Sequence, residues 1–441
     1  MSDSTYVLMA LLNATLASVH IGTNWDLYHV LWSIMSGRLL ATRGAIIPAL
    51  YDFGLNAREA NRAERALVTT SWSLNEMVAD YHATVKAQGH WQPIRHEGYR
   101  AVAIDLTGFF RPHLKGCTSK HYNASAGKAL PSTTFALVVE AGAIGSMSMG
   151  LPRTIAVRSS DDRREADFQR RAVQQAVRAL EPDEVLVGDR GFTLKEMLEC
   201  QAPRSVTRVD KNFTARRNEP PRQLSRGRNK EYGEIVRPLE RIYAGRRIEA
   251  TPPDETAEWV EGTSPIQAHI WNNLTLSTSK QGGPSFQCIA VFDHRYKHPL
   301  VLAAHGLTVT AQTVRQLYRD RWQVEKVPLA AKQMLGAGRL YVSHPESCNR
   351  LPGLALLAGS LMAYVAAISP ATPTGFWDRA ANPTCGRLRR TLARLHFSKL
   401  PSPPAQFREK HSITDHLPKG FNGLRGKKAS QAGSESNQPV I

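Results

Sequence analysis

The 441-residue sequence is poor in cysteine and in acidic residues, and it has neither an internal repeat nor a long unbroken hydrophobic run. Its five cysteines, Cys117, Cys200, Cys288, Cys348 and Cys385, lie far apart, with no Cys-x-x-Cys pair and no histidine at zinc-finger spacing. That excludes a disulfide framework and a structural zinc as organising devices, and isolated thiols point to a reducing, cytoplasmic location. The opening MSDST carries an acid and no base, unlike a secretory leader, so the apolar stretch from Tyr6 to Val19 reads as a core helix. The run Leu351 to Ile368 contains Pro352, Gly353, Gly359 and Ser360. It only touches the length needed to span a bilayer and also reads as a buried helix, so no membrane partner is expected.

What is present is an ordinary globular composition with an unusual charge. Hydrophobic residues at 42% and charged residues at 21% argue against wholesale disorder, and the length allows two or three domains. The 56 Lys and Arg outnumber 38 Asp and Glu, giving a net charge of +18. Such a field attracts polyanions over long range. DNA, RNA and an anionic membrane surface are all compatible with it, and charge alone does not choose among them.

The pattern along the chain predicts an α/β fold in several regions. Residues 1–99 read as a helical domain, with amphipathic segments near Ala57–Val68 and Leu74–Gln88, and such a domain could hold a DNA-binding helix pair. Residues 100–210 change texture. Val102, Ile104 and Leu106 alternate in a first strand, Thr134–Glu140 and Ala143–Met149 read as two more, and a helix follows with Val173, Ala176, Val177 and Leu180 on one face. A short buried strand, Val185–Gly188, then leads to a helix near Leu194–Gln201 and a strand near Arg204–Val209.

Residues 211–310 break into short strand-like runs, Ile235–Tyr243, Gln267–Leu276, Cys288–Phe292 and Leu300–Ala304, and read as a β-rich insertion. Its first part, Lys211–Glu249, holds 11 Lys and Arg against 5 Glu and suits a phosphate-contacting arm. Helical pattern returns over 311–370. The basic C-terminal region, 371–441, offers a helix candidate at Arg387–Phe397 and, from about Thr414, a Gly-, Lys-, Ser- and Gln-rich tail expected to be disordered.

Asp105 ends the first predicted strand and Asp189 ends the later one, in the sequence GDRGF. If those strands are neighbours, the two carboxylates converge and offer Mg²⁺ hard oxygen ligands with positions left open for water and phosphate. A strand-end Asp can equally serve as a turn or cap. Farther along, in LYRDRWQVEKVPLAAKQMLG, Tyr318, Arg321, Glu325 and Lys332 stand at offsets of 0, 3, 7 and 14. On an ideal helix these fall at roughly 0°, 300°, 340° and 320°, one narrow stripe roughly 21 Å long. One acid, two cations and a phenol form a poor core but a sensible phosphodiester clamp, although a solvated charged face would show similar pairing.

The motifs IDLTG and GDRGF, with the Tyr-x2-Arg-x3-Glu-x6-Lys spacing, resemble the DDE transposases of bacterial cut-and-paste insertion sequences, specifically the group defined by that spacing. The resemblance covers about Val102 to Leu335. It implies a ribonuclease H-like mixed sheet with helices, interrupted by a β-rich insertion. It also implies that Asp105, Asp189 and Glu325 are the catalytic and metal-binding acids and that Tyr318, Arg321 and Lys332 hold DNA near the cut.

The implied chemistry is two-Mg²⁺ cleavage at transposon ends and strand transfer into target DNA, with Mn²⁺ able to substitute. The implied partners are double-stranded DNA and a second copy in a homodimer on paired ends, and the implied setting is the bacterial nucleoid. In several relatives a Trp of the insertion stacks on an extruded base, which makes Trp271 the first candidate and Trp259 the second.

One departure concerns Pro328, three residues after Glu325. It removes a backbone hydrogen bond and is expected to kink the helix, turning Lys332 away from the stripe. Two other functions remain compatible with these residues: a catalytically impaired DNA-binding protein on the same scaffold, and a ribonuclease H-like nuclease that does not transpose.

Overall fold

A computed structural model describes residues 3–400 apart from 70, 112–118, 220–230, 281, 340, 341, 343, 372, 374, 380, 397 and 399. The expected disordered tail and part of the expected basic arm therefore lie outside the described residues. The chain opens with six helices: α1 (Asp3–Thr15), α2 (Thr23–Met35), α3 (Arg38–Ala41), α4 (Ile46–Phe53), α5 (Ala57–Ala66) and α6 (Leu74–Gln88). Helix α5 starts at a capping box, in which Asn56 Oδ1 accepts from the Glu59 amide at 3.0 Å and the Glu59 carboxylate accepts from the Asn56 amide at 2.9 Å.

A short strand, Lys120–Asn123, pairs antiparallel with the second of five other strands, which follow with two helices between them. They are β1 (Arg100–Phe110), β2 (Lys128–Glu140), β3 (Leu151–Val157), α7 (Glu165–Arg178), β4 (Glu184–Gly188), α8 (Leu194–Glu199) and β5 (Ser205–Arg208). In space they run β3-β2-β1-β4-β5, with β2 antiparallel to both β1 and β3, β4 parallel to β1, and β5 parallel to β4. Only a crossover can join parallel neighbours, and α7 and α8 provide the two crossovers.

The third strand is not where the alternation predicts it. Residues 143–149 instead form a small hairpin, Gly142–Ile144 against Met147–Ser148, turned by Gly145 at φ 58°. The sheet takes up Leu151–Val157, in spite of Pro152. That proline sits opposite Val139, where the register with β2 shifts, and a strand irregularity is a place where a missing N–H is tolerated.

The β-rich region does not stand apart from the core. Strands β6 (Ala215–Arg217), β7 (Glu255–Glu261), β8 (Ser264–Leu276), β9 (Phe286–Asp293) and β10 (Leu300–His305) extend the same sheet, because β10 pairs antiparallel with β5. The outcome is one 12-stranded mixed sheet. The expected strand Ile235–Tyr243 is split: Ile235–Val236 pairs with β6, whereas Arg241–Tyr243 forms a separate hairpin with Arg246–Ile248. Pro238 lies between the two halves and supplies no donor for a continuous ladder.

Helices α9 (Ala311–Asp320), α10 (Trp322–Leu329), α11 (Pro345–Ile368) and α12 (Cys385–Leu392) complete the described chain. Helix α11 is long and apolar enough to cross a membrane, but 83% of its most apolar stretch is buried inside the fold. It packs in one apolar cluster with Leu12, Trp32, Tyr81, Phe135, Leu137 and Val324, so the N-terminal helices and the strand face share a core. On the opposite face Val102, Ile104 and Leu186 pack against Phe168 and Val173 of α7 and Met197 of α8.

The base of the central strands is tied by buried ions. Glu140, at the end of β2, accepts from His82 at 2.8 Å, Lys86 at 2.9 Å and Arg100 at 3.2 Å, and it also pairs with Arg153. Glu184, at the start of β4, meets Arg153 at 2.6 Å and Arg100 at 3.0 Å. Burial alone would raise the Glu140 pKa, but hydrogen bonds from His82 and Arg153 and the Arg153 charge hold it well below the usual carboxylate range.

A depressed folded-state pKa means that this carboxylate contributes stability above its ordinary pKa and loses it as pH falls. Replacing Glu140 with Ala, which strands buried arginines, should lower unfolding free energy by about 3–5 kcal/mol in urea titrations at pH 7. The gap between Glu140→Ala and wild type should narrow below about pH 4.5.

Candidate active site

Residues of alternate parity on a strand face opposite sides of a sheet. Ala101, Val185 and Val187 pack on the face under α9, and Ala103 packs on the same side beneath α10 and α11. Asp105 and Asp189 continue those two alternations, and Asp105 stands in mid-strand rather than at the expected strand end, because β1 stays paired with β2 as far as Phe110. Strands β1 and β4 pair in parallel with Ile104 opposite Gly188, so the two aspartates are the next residues of adjacent strands.

Asp105 Oδ1 accepts from the Leu106 amide at 2.8 Å, and Asp189 Oδ1 accepts from the Gly191 amide at 2.7 Å. A β-carbon at Gly191 would come within 2.9 Å of that Asp189 oxygen, so the glycine in GDRGF makes room for the carboxylate. The turn role expected of a strand-end aspartate therefore accounts for one oxygen of Asp189.

Helices α9 and α10 cross above these strands. The expected uninterrupted stripe is divided among elements: Tyr318 lies in α9, Arg321 at the junction, Glu325 in α10 and Lys332 in a π-helical turn, Ala330–Met334. Lys332 corrects the expectation drawn from Pro328. Its Nζ donates to Thr107 Oγ1 at 2.7 Å and lies 4.9 Å from the centre of the Phe109 ring, on the strand that carries Asp105. The π turn adds a residue to the helical ladder just after the proline and re-aims the chain, so Lys332 stays over β1.

The electrostatics bind these groups into one site. Burial and the neighbouring Asp189 charge push the Asp105 carboxyl up to about 6, Glu325 adds to the rise, and Arg321 opposes it. Burial lowers the Lys332 ammonium to about 8, against the pull of Asp105. Tyr318 is raised by burial and counteracted by Arg321 and Arg208.

Arg321 is only 5% exposed, pairs with Glu325 at 2.8 Å and lies 5.6 Å from the centre of the Tyr318 ring. Its Nε–H is buried and meets no acceptor among the described residues. A buried, unmet donor in this setting matches an arriving oxyanion.

Trp271 is not brought to the site. It is fully buried in β8, and its Nε1 donates to the carbonyls of Thr251 at 3.1 Å and Pro252 at 3.0 Å, so its ring offers no open face for a base. Trp259 is half-buried in β7, at the border of the sheet. Three residues that the sequence pattern did not single out belong to the site. Thr107 holds Lys332. Arg208, at the end of β5, acts on Tyr318. Trp322, 57% exposed, has the Arg321 guanidinium 5.1 Å from its ring centre. Arg208 had a usable signal, since it ends a strand as Asp189 nearly does.

Asp105, Asp189 and Glu325 supply the hard oxygens that a divalent ion takes, and their mutual repulsion at Asp105 is what such an ion relieves. Among the described residues no three acidic, His or Cys side chains already stand close enough to hold an ion, and Glu325 is engaged by Arg321. No protein-family model matches the chain, and no curated protein matches it.

An acid whose folded-state pKa is raised costs stability wherever it is ionised. Asp105→Asn should therefore stabilise the chain by about 1–3 kcal/mol at pH 7.5 in the presence of chelator, measured by thermal unfolding. That advantage should shrink as pH falls below about 6, where the wild-type carboxyl takes up its own proton.

Proposed function

We propose that this protein is a DDE transposase, which cuts double-stranded DNA at transposon ends and joins the freed ends to target DNA. The observation that carries the reading is the meeting of Asp105, Asp189 and Glu325 with Tyr318, Arg321 and Lys332 over one face of the sheet. The strand order β3-β2-β1-β4-β5 is compatible with the ribonuclease H-like core that the motif resemblance implies. The excess of positive charge suits a polyanionic substrate.

In this reading Asp105, Asp189 and Glu325 hold two Mg²⁺ ions, for which Mn²⁺ can substitute. Such ions, when bound, lower the pKa of a coordinated water and stabilise the attacking and leaving oxygens of a phosphodiester. The protein's own groups position the DNA. The unmet Nε–H of Arg321 donates to a phosphate oxygen, the Tyr318 phenol donates a second hydrogen bond, and Lys332, held by Thr107, places a point charge beside Asp105. A homodimer on paired ends, working in the cytoplasm on nucleoid DNA, completes the proposal.

A second reading, a DNA-binding protein without catalysis, is favoured by one observation. Arg321 occupies Glu325, and the three acids do not form a ready ligand set.

The test uses labelled DNA from the regions flanking the reading frame, with Mg²⁺ or Mn²⁺. Wild type should release 3′-hydroxyl ends and joined products. Asp105→Ala should bind the same DNA within about threefold and yield products reduced by at least about a hundredfold. Undiminished cleavage by Asp105→Ala would remove that residue from the site. Binding without products in either metal favours the second reading, and hydrolysis without joining favours a nuclease.

A further inference from the structure

Among the described residues the hairpin Arg241–Tyr243/Arg246–Ile248 belongs to no larger sheet, and its two strands pair only with each other. Both turn residues have positive φ, Ala244 at 48° and Gly245 at 76°, which is the two-residue turn that matches strand twist. An alanine there is strained, so the tight tip is maintained against a local cost. The ribbon is anchored at its root. Arg241 donates to the Asn212 carbonyl at 3.2 Å, and the Arg237 and Thr251 backbones are joined by an N–H···O bond of 2.8 Å, with the Thr251 hydroxyl accepting from the Arg237 amide at 2.9 Å.

The residues beside the tip are the wrong kind for a solvated turn. Ile242 is 80% exposed and Tyr243 is 71% exposed. Around them, Arg237, Arg241, Arg246 and Arg247 face only Glu240 and Glu249 over the stretch 237–249. The register separates the two charge types. Tyr243 lies opposite Arg246 and Arg241 opposite Ile248, on one side of the ribbon, while Arg247, opposite Ile242, is paired with Glu240 at 2.5 Å on the other side. One side thus carries arginine and an aromatic ring with no acid among the paired residues.

We infer that this side of the ribbon enters a groove of duplex DNA, where Arg246 lies along phosphates and Tyr243 wedges against a base step, unstacking and kinking it. The inference rests on the reading of the chain as a DNA enzyme. A two-stranded ribbon fits a DNA groove, and apolar wedges at the tip of a basic element are a known way to bend a duplex. So few residues bury much less than the roughly 1,000 Å² that a specific protein interface needs, which argues against a protein partner.

The experiment uses the full chain and a mixed-sequence duplex of about 40 base pairs carrying a donor and an acceptor dye at its ends. Wild type should bind at about 10 µM or below in low salt and raise energy transfer as the ends approach. Tyr243→Ala should bind within about threefold but lose more than about half of that rise, with an unchanged thermal midpoint. Arg246→Ala should weaken binding and reduce the salt slope by about one.

If Tyr243→Ala bends the duplex as wild type does, the inference is overturned while the DNA-enzyme reading stands. If wild type binds no duplex, both fall. Binding to phosphatidylglycerol vesicles that is lost in Tyr243→Ala, with DNA bending intact, would also overturn it in favour of a membrane contact.

Discussion

The parallel pairing of β1 with β4 is the constraint on which the candidate site depends. It places Ile104 opposite Gly188 and therefore sets two aspartates side by side without any contact between them having to stabilise the arrangement. The like charges disfavour it, as the raised Asp105 pKa records. The register is held at the other end of the strands, where Glu140 and Glu184 share Arg100 and Arg153 in a nearly solvent-free cluster. A one-residue slip of either strand would break that network and turn that strand's aspartate to the opposite face, so the ionic base and the acidic face are two ends of one device.

The helices over the sheet are brought close by small residues. A β-carbon at Gly150 would collide with the Gln323 carbonyl, and one at Gly359 would press on Ala330. These glycines allow the segment bearing Glu325 and Lys332 to sit between the strand face and α11. Burial follows from that closeness, and it shifts Asp105 up and Lys332 down, toward neutral pH from both sides.

Much of this is legible in the sequence. The two aspartates are visible as the acids that interrupt or follow short apolar runs, and the spacing of Tyr318, Arg321, Glu325 and Lys332 needs only helical periodicity. What was not legible has physical reasons. Pro152 disguised β3, because a proline reads as a breaker unless the bulge that excuses it is known. Pro328 predicted a displaced Lys332, because the compensating π turn is set by packing on β1 and α11 and has no local sequence mark. Trp271 and Trp259 are both strand residues of the same region, and only the pairing of β7, β8 and β9 reveals that the former is enclosed. Thr107 carries no sequence mark because its role arises between elements, from Lys332 far along the chain.

The continuity of the 12-stranded sheet has a mechanical consequence. Strands from β3 to the Ile235–Val236 edge share one hydrogen-bonded ladder, and the chain leaves that edge only five residues before the Arg241–Ile248 hairpin begins. With no hinge layer between the acidic face and the outer strands, the protein has the build of a caliper with one fixed jaw. A polymer seated at both places would be measured by the sheet itself, and the interval between its two points of contact would be a constant of the fold.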